Sequence, residues 1–115
     1  MKPTIYHNPR CSKSRATLKL LEDHGHTPEV IEYLNTPPSV AELKHILKLL
    51  DLSPRELLRR NESAYQEAGL DDDSLNNSAI IRIMVAHPVL IERPIVICGD
   101  KAVIGRPPEN VLAII

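Results

Sequence analysis

The stretch KPTIYHNPRCSKSR, residues 2–15, decides how the chain begins to fold. Its first part, residues 2–6, predicts a short strand, and HNP then predicts a proline turn. From Ser12 onward the pattern becomes helical, with one face that can be buried. That face carries Ser14, Leu18 and Leu21. The one cysteine of this stretch, Cys11, therefore stands where a strand and a turn lead into a helix.

A second strand follows this helix. Gly25 and Pro28 are expected to end the helix, and residues 29–34 (EVIEYL) are β-prone. A strand, a helix and a strand within about thirty residues form a βαβ unit. The two strands should therefore be parallel, because such a crossover connects parallel strands.

The middle of the chain predicts several helices. Residues 39–42 form an S-x-x-E capping box, and residues 53–56 (SPRE) repeat that start signal with a proline at the first helical position. The second of these helices is expected to end at Arg59 and to carry Arg55 on its exposed side. A further short helix and one over roughly residues 78–87 are expected to follow.

The end of the chain returns to strands. Residues 94–98 and 101–104 predict two strands joined by the two-residue turn Gly99-Asp100, and residues 109–115 predict a last short helix. The order βαβ, helices, ββα predicts an α/β thioredoxin-like fold. Its sheet should be mixed and four-stranded, with a helical insertion between the βαβ and ββα halves. A single domain over residues 1–115 is expected from the length.

Composition excludes several classes of function. The net charge of -1 gives no overall field that would attract nucleic acid or an anionic membrane. No run of about 18 apolar residues predicts a membrane span. Two cysteines without a secretion signal predict a cytoplasmic protein, because the cytosol keeps thiols reduced. Aromatic residues make up only 3%, so the core is expected to consist of Leu, Ile, Val and Ala.

The position of Cys11 favours reactivity. Free N–H groups and the positive end of a helix dipole stabilise a thiolate, and the thiolate is the nucleophile. Three other interpretations stay open, namely a buried hydrophobic cysteine, half of a lost redox pair and a metal ligand. Ser14 stands where a C-x-x-C motif has its second cysteine, and its hydroxyl could hydrogen-bond the thiolate. Any disulfide must then use Cys98 or, as we favour, an external thiol.

Three arginines stand out by their context, because the forked guanidinium group can bind a tetrahedral oxyanion. Arg93 directly precedes Pro94, at the start of a predicted strand. Arg106 lies in the loop after the last predicted strand, and Arg59 ends a predicted helix. In a thioredoxin-like fold the loop before the third strand passes the N-terminus of the first helix, so Arg93 is expected near Cys11.

Five motifs, in this order, resemble the ArsC-type arsenate reductase family of the ArsC/Spx superfamily. They are HNPRCSKSR, YLNTPPS, ELLRRN, HPVLIERPIVI and IGRPPENVL. The resemblance covers essentially the whole chain and implies a thioredoxin fold with a helical insertion. The chain lacks the longer C-terminal tail of the plasmid-type members, and its Cys98 matches no role in the family.

The resemblance also implies roles for individual residues. Cys11 would be the catalytic nucleophile, and His7 would be the catalytic histidine that favours its thiolate. Pro94 matches a supporting proline that is typically cis in this fold. The oxyanion would be held by Arg59, Arg93 and Arg106.

The family further implies a reaction. Cys11 would attack the arsenic of arsenate or a similar oxyanion, glutathione would attack the resulting adduct, and glutaredoxin would resolve the mixed disulfide. No bound metal, flavin or nucleotide is implied, and a monomer is expected. Two alternatives remain: a glutathione-dependent thiol oxidoreductase, and an Spx-like regulator that binds RNA polymerase. The C-x-x-S motif argues against the second, because Spx proteins typically use a C-x-x-C switch.

Overall fold

The computed structural model describes residues 2–115, which divide into two compact units. One unit holds the residues up to Thr36 together with Arg93–Ile115, and the other is Pro37–Glu92. The first contains the predicted βαβ and ββα halves, and the second is the predicted helical insertion. That residues 1–115 act as a single domain stays a prediction. No helix within the described residues is both long and apolar enough to cross a bilayer.

The first unit is built on a four-stranded sheet with the strand order β2-β1-β3-β4. The strands are β1 (Thr4–His7), β2 (Glu29–Glu32), β3 (Ile95–Cys98) and β4 (Lys101–Ile104). Strands β1 and β2 are parallel, whereas β1 pairs with β3, and β3 with β4, in antiparallel orientation. This mixed α/β sheet confirms the predicted thioredoxin-like fold.

Strand β2 ends two residues before the predicted boundary. The backbone N–H groups of Asn35 and Thr36 both donate to the carbonyl oxygen of Glu32, each over 3.0 Å. These two bonds turn the chain immediately after Glu32, so it cannot continue along β1. The turn leaves Leu34 40% exposed, although Tyr33 is buried.

Helix α1 (Ser12–Asp23) packs against β1 and against a 3₁₀ helix, Pro108–Ala113, which is the short last helix that the sequence predicted. Between them lies an apolar core. Its fully buried members are Ile5, Leu21, Val96 and Val111. Tyr6 and Tyr33 are buried as well, so the expectation of a purely aliphatic core was wrong.

The second unit contains α2 (Val40–Leu50), α3 (Ser63–Glu67) and α4 (Asn77–Ala86). The predicted capping box starts α2: the Ser39 hydroxyl accepts from the Glu42 backbone N–H over 3.1 Å, and Glu42 Oε1 accepts from the Ser39 N–H over 3.0 Å. Helices α2 and α4 pack together through their apolar faces. The buried residues of these faces are Leu43, Ile46, Leu47, Ile80, Ile81 and Met84.

The helix predicted to end at Arg59 is only one 3₁₀ turn, Pro54–Leu57. After it the chain runs alongside the segment before Glu92: the Arg59 N–H donates to the Leu90 carbonyl over 2.8 Å, and the Glu92 N–H donates to the Leu57 carbonyl over 2.9 Å. This pairing takes the backbone groups that a longer helix would use.

Arg55 is not the exposed arginine that the sequence predicted. Its Nη1 donates to the carbonyl oxygen of Leu70 over 2.9 Å, and its Nη2 donates to that of Asp72 over 2.8 Å. Arg55 therefore ties the 3₁₀ turn to the loop after α3.

Candidate active site

The turn between β1 and α1 is held by its own hydrogen bonds. The Cys11 N–H donates to the Asn8 carbonyl over 3.0 Å, and the buried Asn8 side chain accepts from the Arg10 N–H over 3.0 Å. Arg15 donates from Nη1 to the Pro9 carbonyl over 2.9 Å. These bonds fix the path of the chain from the sheet to the cysteine.

Cys11 is the residue that caps the N-terminus of α1, in an extended backbone conformation, and it is partly exposed. Burial raises the pKa of its thiol, but hydrogen bonds to the sulfur outweigh that effect, so the pKa lies below its ordinary value. The donors are the backbone N–H of Ser14, the side chain of Arg93 and the backbone N–H of Lys13. The positive charge of Arg93 acts in the same direction. The helix N-terminus therefore lowers the pKa, as the sequence predicted.

Two of the three predicted arginines lie at this sulfur. Arg93 precedes β3, its peptide bond to Pro94 is cis as the family resemblance implied, and its side chain hydrogen-bonds Cys11. Arg106 follows β4, and its Nη1 lies 3.8 Å from Cys11 Sγ and 3.3 Å from the Arg93 carbonyl oxygen. The 3.8 Å contact is long, and Arg93 rather than Arg106 lowers the Cys11 pKa.

Gly105 sets the position of Arg106, and no pattern in the sequence indicated this role. A Cβ atom at Gly105 would lie 2.5 Å from Thr17 Oγ1 and 2.8 Å from Pro94 Cγ, so only glycine fits between them. The Gly105 N–H donates to the Pro94 carbonyl over 2.9 Å, and the Thr17 hydroxyl approaches the Gly105 carbonyl at 3.3 Å. The loop that carries Arg106 is thus packed directly onto α1.

The Ser14 hydroxyl does not hydrogen-bond the Cys11 sulfur, contrary to our expectation. Its Oγ lies 2.6 Å from Nδ1 of His7 and accepts from the Asn8 N–H over 3.0 Å. His7, Asn8 and Ser14 are all buried. Ser14 thus contributes its backbone N–H to Cys11, while its side chain ties the helix to the end of β1.

His7 is a neutral residue rather than a source of positive charge. Burial lowers its pKa, the Glu32 carboxylate raises it and the Arg15 charge lowers it again, with a net lowering. The opposing effect of Glu32 follows from the sheet, because His7 and Glu32 are paired neighbours in β1 and β2. His7 contacts the Ser14 hydroxyl, and Ser14 donates its backbone N–H to Cys11, so the positions of the two residues are linked through Ser14.

A profile of the ArsC family matches residues 6–114. The chain belongs to the ArsC family. The arsenate reductase of Neisseria meningitidis serogroup A is 51% identical over 112 residues, which cover 96% of each chain. The uncharacterized protein YfgD of Escherichia coli K12 is 55% identical over 96% of this chain and 94% of that protein. The solved arsenate reductase of Vibrio cholerae is 52% identical and superposes with a TM-score of 0.97, covering 100% of this chain and 98% of that one.

Arg59, the third arginine of the ArsC-family motifs, belongs to the second unit. Its Nη1 lies 2.6 Å from Glu92 Oε1 and its Nε 3.3 Å from Glu62 Oε1. Both carboxylates hold the guanidinium group in one orientation within that unit. Its proposed contact with an oxyanion stays a prediction.

Cys98 lies far from the ArsC-family cysteine, and neither of the two forms a disulfide. Cys98 follows Ile97, which pairs with Thr4 at the start of β1, whereas Cys11 follows the end of that strand. The length of β1 separates the two ends by about 10 Å, at about 3.3 Å per residue. A disulfide needs Cα atoms within about 7 Å, so the two cysteines cannot pair in this fold.

Within residues 2–115, no group of three or more His, Cys, Asp or Glu side chains is arranged to hold a metal ion. The reactive groups that the structure brings together at this ArsC-family site are the Cys11 thiol and the guanidinium groups of Arg93 and Arg106.

Proposed function

We propose that the chain is an arsenate reductase that uses glutathione and glutaredoxin as its reductants. The observation that carries the proposal is the pairing at Cys11: a thiol with a lowered pKa and two guanidinium groups, those of Arg93 and Arg106, beside it. A nucleophile and an anion-binding group at one point suit attack on a tetrahedral oxyanion. The arsenate reductases among the relatives support arsenate as that oxyanion.

The first chemical step joins sulfur to arsenic. The Cys11 thiolate attacks arsenate, an As–S bond forms, and one oxygen leaves arsenic as hydroxide, which is released as water after protonation. Arg93 and Arg106, with Arg59 as the family resemblance implies, would balance the negative charge of the oxyanion as it shifts between its oxygens.

The second step transfers the electrons. A glutathione thiolate attacks the sulfur of the adduct, an S–S bond forms between Cys11 and glutathione, and the electron pair of the As–S bond stays on arsenic, which leaves as arsenite. Glutaredoxin then reduces the mixed disulfide by thiol exchange. The sum is arsenate plus two thiols giving arsenite, one disulfide and water. The distance between Cys98 and Cys11 supports an external thiol in this role.

Coupled turnover is the direct test. Purified wild-type protein with glutathione and glutaredoxin should reduce arsenate to arsenite, and Cys11→Ser should not. If the wild type reduces glutathione mixed disulfides but converts arsenate no faster than Cys11→Ser, the thiol oxidoreductase alternative is correct instead. We further propose that the protein is a cytoplasmic monomer of one domain with no bound cofactor, which light scattering and fractionation of cells would test.

A further inference from the structure

A groove of about 390 Å³ opens where β1 and β2 end, and its volume is within the range of about 300–1,000 Å³ typical of small-molecule sites. The residues that matter for its chemistry are His7, Pro9, Arg10, Glu32, Leu34 and Asn35. The mechanism proposed above places no substrate in it.

The groove presents one free group of each charge. Arg10 and Glu32 are both exposed, and within residues 2–115 neither side chain forms an ion pair with another residue. The amide of Asn35 can donate and accept, and Leu34 adds an apolar surface that is 40% exposed. An acid and a base in one groove suit a zwitterion, because each end of the ligand then meets an opposite charge.

This groove is a poor site for arsenate itself. A carboxylate such as Glu32 repels a doubly charged oxyanion, and the guanidinium groups that lie at the Cys11 sulfur belong to Arg93 and Arg106, neither of which lines the groove. The oxyanion and the ligand of the groove would therefore occupy opposite sides of the turn.

The groove is nevertheless within reach of the sulfur. Arg10 directly precedes Cys11, so their Cα atoms are about 3.8 Å apart, and an extended tripeptide spans about 10 Å. A tripeptide whose end lies at Arg10 and Glu32 can place a central thiol at Cys11.

We propose that the groove binds the γ-glutamyl end of glutathione, with the α-amino group at Glu32 and the α-carboxylate at Arg10. The inference rests on the proposed function, because the thiol of the bound glutathione would then attack the Cys11 sulfur of the arsenic adduct. In that step the S–S bond forms as the As–S bond breaks, and the electron pair stays on arsenic. The α-amino and α-carboxylate groups of the γ-glutamyl end are attached to the same carbon atom. This end therefore offers one positive and one negative group to the two opposite charges of the groove.

Binding can be measured without any turnover. S-methylglutathione has no free thiol, so its affinity for the wild type, followed by NMR chemical shifts, reports the groove alone. Arg10→Gln and Glu32→Gln should each weaken binding about three- to tenfold, the range expected for one exposed charged hydrogen bond. The matched controls are Glu29→Gln, three residues from Glu32 on β2, and Lys101→Gln on β4, the opposite edge of the sheet. Equal affinity in the groove variants and the controls, or no binding to the wild type, would overturn the inference.

Kinetics separate the groove from the proposed function. In the coupled assay, both groove variants should raise the KM for glutathione about three- to tenfold and leave the KM for arsenate unchanged. With 2-mercaptoethanol as the thiol, the two groove variants should have the same KM for the thiol as the wild type, because 2-mercaptoethanol has no charged ends. The alkylation rate of Cys11 should also be unchanged in Arg10→Gln, since a lower rate would mean an effect on the thiolate instead. If the wild type fails to reduce arsenate, the proposed function is wrong, and S-methylglutathione binding still decides the groove.

Discussion

The imidazole of His7 and the hydroxyl of Ser14 lie 2.6 Å apart, and both side chains are buried. Since the Ser14 oxygen also accepts from the Asn8 N–H, its proton is available to Nδ1 of a neutral His7. Protonation would turn Nδ1 into a donor, so the direction of the contact would reverse, and it would place a positive charge in a buried position. The direction of the contact and the cost of burying the ring therefore both depend on the protonation state of His7.

Stability should consequently fall in mild acid. Burial lowers the His7 pKa in the folded protein, so below the ordinary value of about 6.5 the unfolded chain binds more protons than the folded one. The free energy of unfolding should decrease as the pH drops through 6.5 and stop decreasing, as far as His7 is concerned, below the folded-state pKa. Urea denaturation at a series of pH values measures this. His7→Gln should lose this part of the pH dependence, and His45→Gln, at an exposed histidine, should keep it. The same slope in His7→Gln and the wild type would contradict a buried neutral His7.

The thiol of Cys11 should be reactive below its ordinary pKa. Only the thiolate reacts with iodoacetamide, so the alkylation rate rises with pH and reaches a plateau above the pKa. A lowered pKa moves the midpoint of that rise to a lower pH than for an ordinary cysteine. Arg93→Gln should move it back upward, because the Arg93 hydrogen bond and charge are lost. A midpoint in Arg93→Gln equal to that of the wild type would show that Arg93 does not act on the thiolate.

Only one of the two cysteines should be needed for turnover. Cys11→Ser should abolish arsenate reduction without loss of folding, because a serine hydroxyl is far less ionised near neutral pH. Cys98→Ser should keep most of the activity, since Cys98, on β3, lies beside the start of β1, whereas Cys11 follows its end. Coupled arsenate reduction and circular dichroism measure the two properties. If Cys98→Ser were inactive and Cys11→Ser were active, the nucleophile would be Cys98 rather than Cys11.

Lysine should not replace the arginines at the sulfur. It keeps the charge but lacks the fork of donors, and a charged hydrogen bond is worth roughly 1.5–3 kcal/mol. Arg93→Lys and Arg106→Lys should each lower kcat/KM for arsenate by about ten- to a hundredfold, with little change in thermal stability.

The control for these variants is an arginine that belongs neither to the site nor to the hydrogen bonds that hold the fold. Arg55 is unsuitable, because its bonds to two backbone carbonyl groups make it part of the fold. Arg82, exposed on α4, is suitable, and Arg82→Lys should be neutral. Wild-type activity in both Arg93→Lys and Arg106→Lys would remove the argument for forked oxyanion binding.

Gly105→Ala should harm both stability and activity. The new Cβ would lie 2.5 Å from Thr17 Oγ1, and overpacking of this kind costs about 1–3 kcal/mol. The displaced loop carries Arg106, so kcat/KM should fall as well. Adding Thr17→Ala removes the Thr17 atoms at 2.5 and 3.0 Å but leaves Pro94 Cγ at 2.8 Å, so the double variant should lose less stability than the sum of the single variants. Strict additivity in urea denaturation would exclude a clash with Thr17.

Local signals in the sequence predicted the elements that depend on neighbouring residues. The capping box of Ser39 and Glu42 predicted the start of α2, and Gly99-Asp100 predicted the hairpin, where Gly99 has a φ of 66°. The parallel pairing of β1 and β2 followed from the length of the connection between them. These features require no knowledge of distant contacts.

The approach of Arg93 to Cys11 was predicted from the expected fold, but other features that depend on distant contacts were missed. The hydroxyl of Ser14 contacts His7 and the Asn8 N–H at the end of β1, and no spacing in the sequence reveals these contacts. The 3₁₀ turn at Pro54–Leu57 stopped early because the chain pairs with residues about thirty positions further on. The groove of Arg10 and Glu32 arises from the parallel register of two strands, which composition and spacing do not reveal.

The packing of Gly105 against α1 should be visible in hydrogen exchange. Cys11 begins α1 and Arg106 directly follows Gly105, so the helix and the loop should open together rather than one after the other. The Gly105 amide, which donates to Pro94, should then exchange with the same protection as the amides around Thr17. Thiol and guanidinium would belong to one cooperative unit that is assembled before any ligand arrives.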